Sequence, residues 1–175
     1  MKVDCKIIFS DIDGTFLDSR HQVQPGTAAA ARRMTECGIP VVLVSARMPA
    51  AIRPILRAAG IAAPLISYSG ALVLDAAGRA LYSHTMPVEP AARILNQLQL
   101  RWPQTVVNYY AEDVWYVADD RTPAVQREER ITSVKAVPAE FGGLLSAGRL
   151  PHKLLCMAEA EVIDAMGQEL QTEFP

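Results

Sequence analysis

Cysteine is scarce in this chain. Cys5, Cys37 and Cys156 are three thiols in 175 residues, far apart and with no C-x-x-C pair. A disulfide framework needs an even set and a zinc knuckle needs close spacing, so these read as reduced, mostly buried thiols. Basic blocks are absent too, and the formal net charge is -2, which excludes the electrostatic footprint of a protein that grips a nucleic-acid backbone or an anionic membrane. No apolar run approaches the ~18 residues of a membrane span, and MKVDCKIIFSD has only a short apolar stretch before its aspartates, unlike a secretory leader. The expected location is cytoplasmic. His21, His84 and His152 lack metal-ligand spacing, and no internal repeat or low-complexity tract is visible.

What is present suits a soluble globular protein whose default partners are small molecules. Half the residues are hydrophobic and 21% charged, as in ordinary globular proteins, and a chain of this length buries roughly 70% of its unfolded surface. Strands alternate with helices, the pattern of a parallel α/β sheet. Val3 to Phe9 reads as a first strand, apolar on both faces at Ile7-Ile8-Phe9 and so expected in mid-sheet. A helix follows from Thr27, as its cap, to Cys37, with Gly38 just past its end. Ile39 to Val44 is a second buried strand. The next helix, about Ala50 to Ala59, carries Pro49 and Pro54 and is expected to begin late or kink before Gly60 closes it. Pro64 to Ser67 is a third strand, and Leu72 to Ser83 a hairpin around Ala76-Ala77-Gly78.

From about residue 86 the rhythm changes. Val88 to Trp102 reads as an amphipathic helix with Ala92, Leu95 and Leu98 on one face. Gln104 to Tyr110 and Val114 to Val117 form a hairpin, whose Tyr109, Tyr110, Trp115 and Tyr116 should alternate between a packed face and solvent. Pro123 to Arg130 is a charged helix, with Thr122 or Asp119-Asp120 as cap. Residues 137–151 look loop-like, His152 to Met157 is a strand and Ala160 to Glu173 a helix. The division expected is 1–85 and 86–175.

Three polar clusters sit where open parallel sheets bind ligands, beyond the carboxyl ends of the strands. Asp11 and Asp13 end the first strand, Ser45 and Arg47 the second, Ser69-Gly70 the third. An aspartate can take a phosphoryl group covalently, and a second carboxyl two residues on can protonate the leaving oxygen and then deprotonate water. Paired carboxylates repel each other, and a hard cation such as Mg²⁺ relieves that while neutralising phosphate charge. Gly14 permits a sharp turn with inward amides. Ser45 offers a hydroxyl, and Arg47 a permanently charged fork.

These stretches carry a resemblance. Asp11-Ile12-Asp13-Gly14-Thr15-Phe16-Leu17 resembles the DxDGT(L/V) motif of the haloacid dehalogenase superfamily, and Ser45 after Val41 to Val44 resembles its second motif. Ser45-Ala46-Arg47 and Tyr68-Ser69-Gly70-Ala71-Leu72 are similar to the TGR and (Y/S)NGAL of Cof-type phosphatases. The resemblance implies a Rossmann-like parallel-sheet core with an inserted α/β cap from about Pro87. It implies Asp11 as nucleophile and magnesium ligand, and Asp13 as acid/base with its carbonyl on the metal. Gly14, Thr15, Ser45, Ala46, Arg47, Ser69 and Gly70 would then line the phosphate. Ala46 stands where the family has Gly, and Ser69 where it has Asn. The third-motif lysine and fourth-motif GDxxND cluster have no counterpart before Pro175, so the chain is expected to be the leading part of a longer core, inactive alone.

The competing readings differ in class. A magnesium-dependent phosphatase of a small phosphorylated metabolite comes first, with homo-oligomer formation left open. A phosphomutase of the same superfamily would pass its phosphoryl group to a second sugar hydroxyl, and a non-catalytic remnant would bind phosphate without turnover. A receiver module needs its accepting Asp after the third strand, where Ser67-Tyr68-Ser69 stands. Lys135 and Lys153 fall in the cap region and read as surface or sheet-edge lysines.

Overall fold

The computed structural model describes residues 5–174. They divide into two compact units, one up to His84 and one from Thr85 onward. The start of the expected first strand, residues 3 and 4, lies outside the described range.

In the first unit the buried valine and leucine run of β2 (Val41–Val44) forms the middle of a parallel trio with β1 (Ile8–Asp11) and β3 (Leu65–Ser67). Two antiparallel strands, β4 (Leu72–Leu74) and β5 (Ala80–Ser83), complete a five-stranded sheet in the order β1-β2-β3-β4-β5. Helices α1 (Pro25–Glu36) and α2 (Pro49–Ala59) make the two crossovers between the parallel strands. α2 buries Ile52, Ile55 and Leu56, and β2 buries Val41, Val42 and Leu43; each such side chain contributes about 1.5–3 kcal/mol when taken fully out of water. Because Asp11 pairs with Val44 and Val44 with Ile66, the polar ends of all three parallel strands arrive at one edge of the sheet.

Three expectations for this unit are corrected. β1 does not lie in mid-sheet: among the described residues its only paired strand is β2, and Ile7 and Phe9 are 45% and 58% exposed. α1 starts at Pro25 after Gln24, not after a Thr27 cap, since a proline at the first helical position lacks only an N–H that would have had no helical partner. α2 begins on Pro49 for the same reason and does not begin late; Pro54 remains inside it, on the exposed side. Gly60 closes α2 in the left-handed conformation, φ 70°.

The second unit is built on a four-stranded sheet, order β8-β7-β6-β9. β6 (Val106–Ala111) and β7 (Val114–Val117) form its central hairpin, β8 (Val137–Pro138) runs parallel to β7, and β9 (Lys153–Met157) lies antiparallel to β6. The helices are α3 (Val88–Arg101), α4 (Pro123–Thr132), α5 (Phe141–Ser146) and α6 (Ala160–Glu173). The buried stripe of α3 includes Ala91 and Leu98 with Leu95 partly covered, whereas Ala92 is exposed. Tyr109, Tyr110, Trp115 and Tyr116 are all buried, so the expected solvent-facing half of the hairpin does not exist. The alternation is real, but both faces are covered. Tyr109 stacks on Phe141 and meets Tyr116 edge-on, while Tyr110 stacks on Trp115. Asn108, fully buried, accepts from the Trp115 indole N–H at 3.0 Å and donates to the Leu155 carbonyl at 2.9 Å.

Residues 137–151 are not a plain loop. They hold β8 and α5, whose two glycines became helical because the Glu140 carboxylate accepts from the amides of Gly142 and Gly143. Thr122 caps α4, while Asp119 is taken by Arg121. The thiols are free, but Cys37 is exposed and Cys5 and Cys156 only partly covered, so "mostly buried" fails. Among the described residues no helix is long and apolar enough to cross a membrane.

Candidate active site

The site begins where β1 stops being apolar. After Asp11 the chain enters a wide loop, Ile12–Phe16, pinned by the buried side chains of Ile12 and Phe16 and closed by the Leu17 N–H donating to the Ile12 carbonyl at 2.9 Å. Gly14 makes the reversal with φ +77° and open space where a Cβ would stand; the need for glycine is conformational, not steric crowding. With the apolar residues anchored inward, Asp11, Asp13, Gly14 and Thr15 are left exposed at the strand end.

A short hairpin follows, held by the Leu17–Val23 bridge. Its turn is organised by Asp18, whose carboxylate accepts from the amides of Gln22 and Arg20 and from the Gln24 side chain; these bonds, that of Gln22 foremost, hold its pKa below the ordinary carboxylate value. The turn leaves His21 with φ 56° and its Nδ1 3.6 Å from Asp13 Oδ1.

At the end of β2, Ser45 is buried, its Oγ accepting from the Arg47 amide at 3.2 Å. The residue flanking α2 is Met48, so Ser45 is not that helix's cap. Arg47 reaches across to Asp13 with both prongs, Nη2 to Oδ1 at 2.6 Å and Nε to Oδ2 at 3.0 Å. This fork lowers the Asp13 pKa through its hydrogen bond and its charge, with His21 adding to the effect and burial opposing it. The third strand end is tied in through the backbone: Ser69 N–H donates to the Ser45 carbonyl at 3.1 Å and Tyr68 N–H to that of Arg47 at 3.3 Å. To do so, Tyr68, Ser69 and Gly70 take φ values of 51°, 55° and 106°. Asn tolerates the left-handed region better than Ser, which accounts physically for the Asn in the pattern that Ser69 replaces.

Contacts therefore join Asp13, Arg47, Ser45 and Ser69, and strand register sets Asp11 beside Val44, one residue before Ser45. Thr15 and Ala46 are exposed on the loops after β1 and β2. Lys135 and Lys153 belong to the second unit, the first on Glu129 and the second over the Tyr110 ring. Sequence reasoning passed over His21 and the Tyr68 backbone. The Asp18-Ser19-Arg20-His21-Gln22 turn cluster was the signal for the first, and nothing local announced the second. Among the described residues no group of three or more His, Cys, Asp or Glu gathers. The Asp11 carboxylate, exposed at the strand end, is a hard oxygen donor of the kind that fits Mg²⁺, which is held by one or two carboxylates and keeps several waters.

A family model described as haloacid dehalogenase-like hydrolase matches residues 8–175. The chain belongs to the haloacid dehalogenase-like hydrolases. A Haemophilus influenzae protein named "Putative phosphatase" is 33% identical over 97% of this chain and 63% of its own length. The Bacillus subtilis phosphatase YwpJ is 35% identical over 61% of this chain and 35% of its own. A Thermotoga maritima crystal structure superposes with a TM-score of 0.82 at 22% identity, covering 97% of this chain and 62% of that one. A haloacid dehalogenase-like hydrolase from Bacteroides thetaiotaomicron gives 0.79 at 18% identity, over 96% and 64%. At those identities the structures show a common fold. The chain spans less than two thirds of the length of these relatives.

Proposed function

We propose that these residues serve a magnesium-dependent phosphatase that hydrolyses a small phosphorylated metabolite in the cytoplasm through an aspartyl-phosphate. The observation that carries the reading is the two-pronged Arg47–Asp13 contact, which joins the end of β2 to the loop that Asp11 opens. An Asp11 oxygen attacks phosphorus, the P–O bond to the leaving group breaks, and the Asp13 carboxyl gives its proton to the departing oxygen. Asp13, now a carboxylate, takes a proton from water as that water attacks the aspartyl-phosphate and returns Asp11 free. Bound Mg²⁺ would supply charge neutralisation between the Asp11 carboxylate and the phosphoryl oxygens. Ser45 Oγ–H and the exposed amides around Gly14 are the donors for those oxygens.

For Asp13 to carry a proton, Arg47 has to let go of it. The arriving phosphoryl dianion is the competing anion, and a guanidinium fork binds phosphate as readily as carboxylate. Arg47 thus moves from Asp13 to substrate.

The test is hydrolysis of p-nitrophenyl phosphate with and without Mg²⁺ by the whole protein in which these residues act. Asp11→Asn is expected to abolish turnover, and undiminished turnover in that variant refutes the nucleophile. The 175-residue chain alone is expected to show little or no activity, because the family's lysine and second acidic cluster have no counterpart in it.

A further inference from the structure

The second unit contains a cavity of about 730 Å³ between α3, the ends of β6 and β7, and the start of α5. Its walls are mainly apolar, with Leu95, Leu145 and the rings of Trp102 and Phe141 among them. Among the described residues no lysine, arginine or histidine lines it, and its two carboxylates, Asp119 and Glu140, are already engaged, by Arg121 and by the amides of Gly142 and Gly143. An anion would meet acidic neighbours and no counter-charge, so the cavity is unsuited to a phosphorylated molecule. A cation would have to displace the bonds that already hold both carboxylates. The Trp102 Nε1–H is a buried donor with no partner among the described residues, and unpaired buried donors are rare enough to require an explanation. Trp115, by contrast, has its indole N–H bonded to Asn108.

From volume, lining and charge we infer that this cavity is a binding site for an uncharged, largely apolar small molecule. The volume falls within the ~300–1,000 Å³ of small-ligand sites, and a mostly apolar lining with few polar groups is their usual make-up. The site belongs wholly to the second unit, and the inference does not depend on the phosphatase reading.

Quinoline, a neutral bicyclic ring with a single acceptor nitrogen, is the probe, and the two indole N–H signals of the ¹⁵N-labelled 175-residue chain are the readout. The Trp102 signal is expected to shift saturably, with half-saturation at or below ~1 mM, while the Trp115 signal stays put. Inorganic phosphate at the same concentrations is expected to leave Trp102 unmoved. Ala92→Phe and, independently, Gln99→Phe, both at exposed positions on the rim, are expected to weaken quinoline binding at least ~10-fold. An unchanged Trp115 signal in each variant verifies its fold. A linear, non-saturating Trp102 shift overturns the site. So does undiminished binding in both variants, or a response to phosphate equal to that to quinoline.

Discussion

Replacing Arg47 by methionine isolates the contact on which the site rests. The fork holds both Asp13 oxygens, at 2.6 and 3.0 Å, yet the two side chains are 23% and 46% exposed. Solvent screening therefore confines the pair to the range of exposed ion pairs, about 0.2–1 kcal/mol, nearer the top because the geometry is bidentate. The pH dependence follows from the sign of the shift. Asp13 has its pKa lowered in the fold, chiefly by the Arg47 hydrogen bond, so the pair's contribution is complete above the pKa of an unfolded carboxylate. It disappears as pH falls through the lowered native value. Arg47→Met should thus destabilise the 175-residue chain by up to about 1 kcal/mol at pH 7 and by almost nothing in strong acid. Equilibrium urea unfolding, metal-free in EDTA, measures the loss, and ¹³C-detected titration of the Asp13 carboxyl should show it ionising at higher pH in the variant. Equal destabilisation at both pH extremes, or an Asp13 titration that does not move, would refute the reasoning.

Other outcomes are expected. Trp115→Phe strands the buried Asn108 Oδ1 without its donor, which should cost about 1–3 kcal/mol in urea unfolding beyond the lost ring packing. Ser69→Asn should raise stability by a few tenths of a kcal/mol, since its φ of 55° favours asparagine; a loss would contradict the backbone account. Tyr109 has its pKa pushed up to about 12 by burial and by Tyr116 beside it, and Tyr110 is pushed up by burial and by Glu128. The contribution of these two phenols to stability should be flat below pH 10 and fall above it as the unfolded phenols ionise first. Absorbance at 295 nm should show these two ionising together with unfolding, not before it.

Much of this architecture was legible because its signals are local. Buried runs such as Val41 to Val44, the Thr122-Pro123 helix start, and glycines past helix ends act within a few residues. The acidic pair at a strand end was legible for the same reason. Most of what escaped depended on contacts distant in sequence. The exposed side of β1 could not be told from a central strand, since an apolar run gives no account of how many neighbours it has. One miss was local: the helical state of Phe141–Ser146 depends on the Glu140 carboxylate accepting from glycine amides two and three residues on, against the propensity of those glycines. Arg47 was picked as a phosphate ligand from its place at the end of the second strand, its charged fork and the resemblance to TGR. Its hold on Asp13, 34 positions away, is a product of β1–β2 pairing that composition does not encode.

The left-handed run at Tyr68, Ser69 and Gly70 also bears on how this protein can be changed. Backbone of that kind stores about 1–3 kcal/mol at each non-glycine residue, so a library screened for heat resistance alone should drift toward glycine at exposed position 69, whereas Tyr68 is held by the burial of its ring. The gain would loosen the brace that Ser69 N–H gives the Ser45 carbonyl. Heat tolerance and the order of the strand-end loops then compete for the same codon.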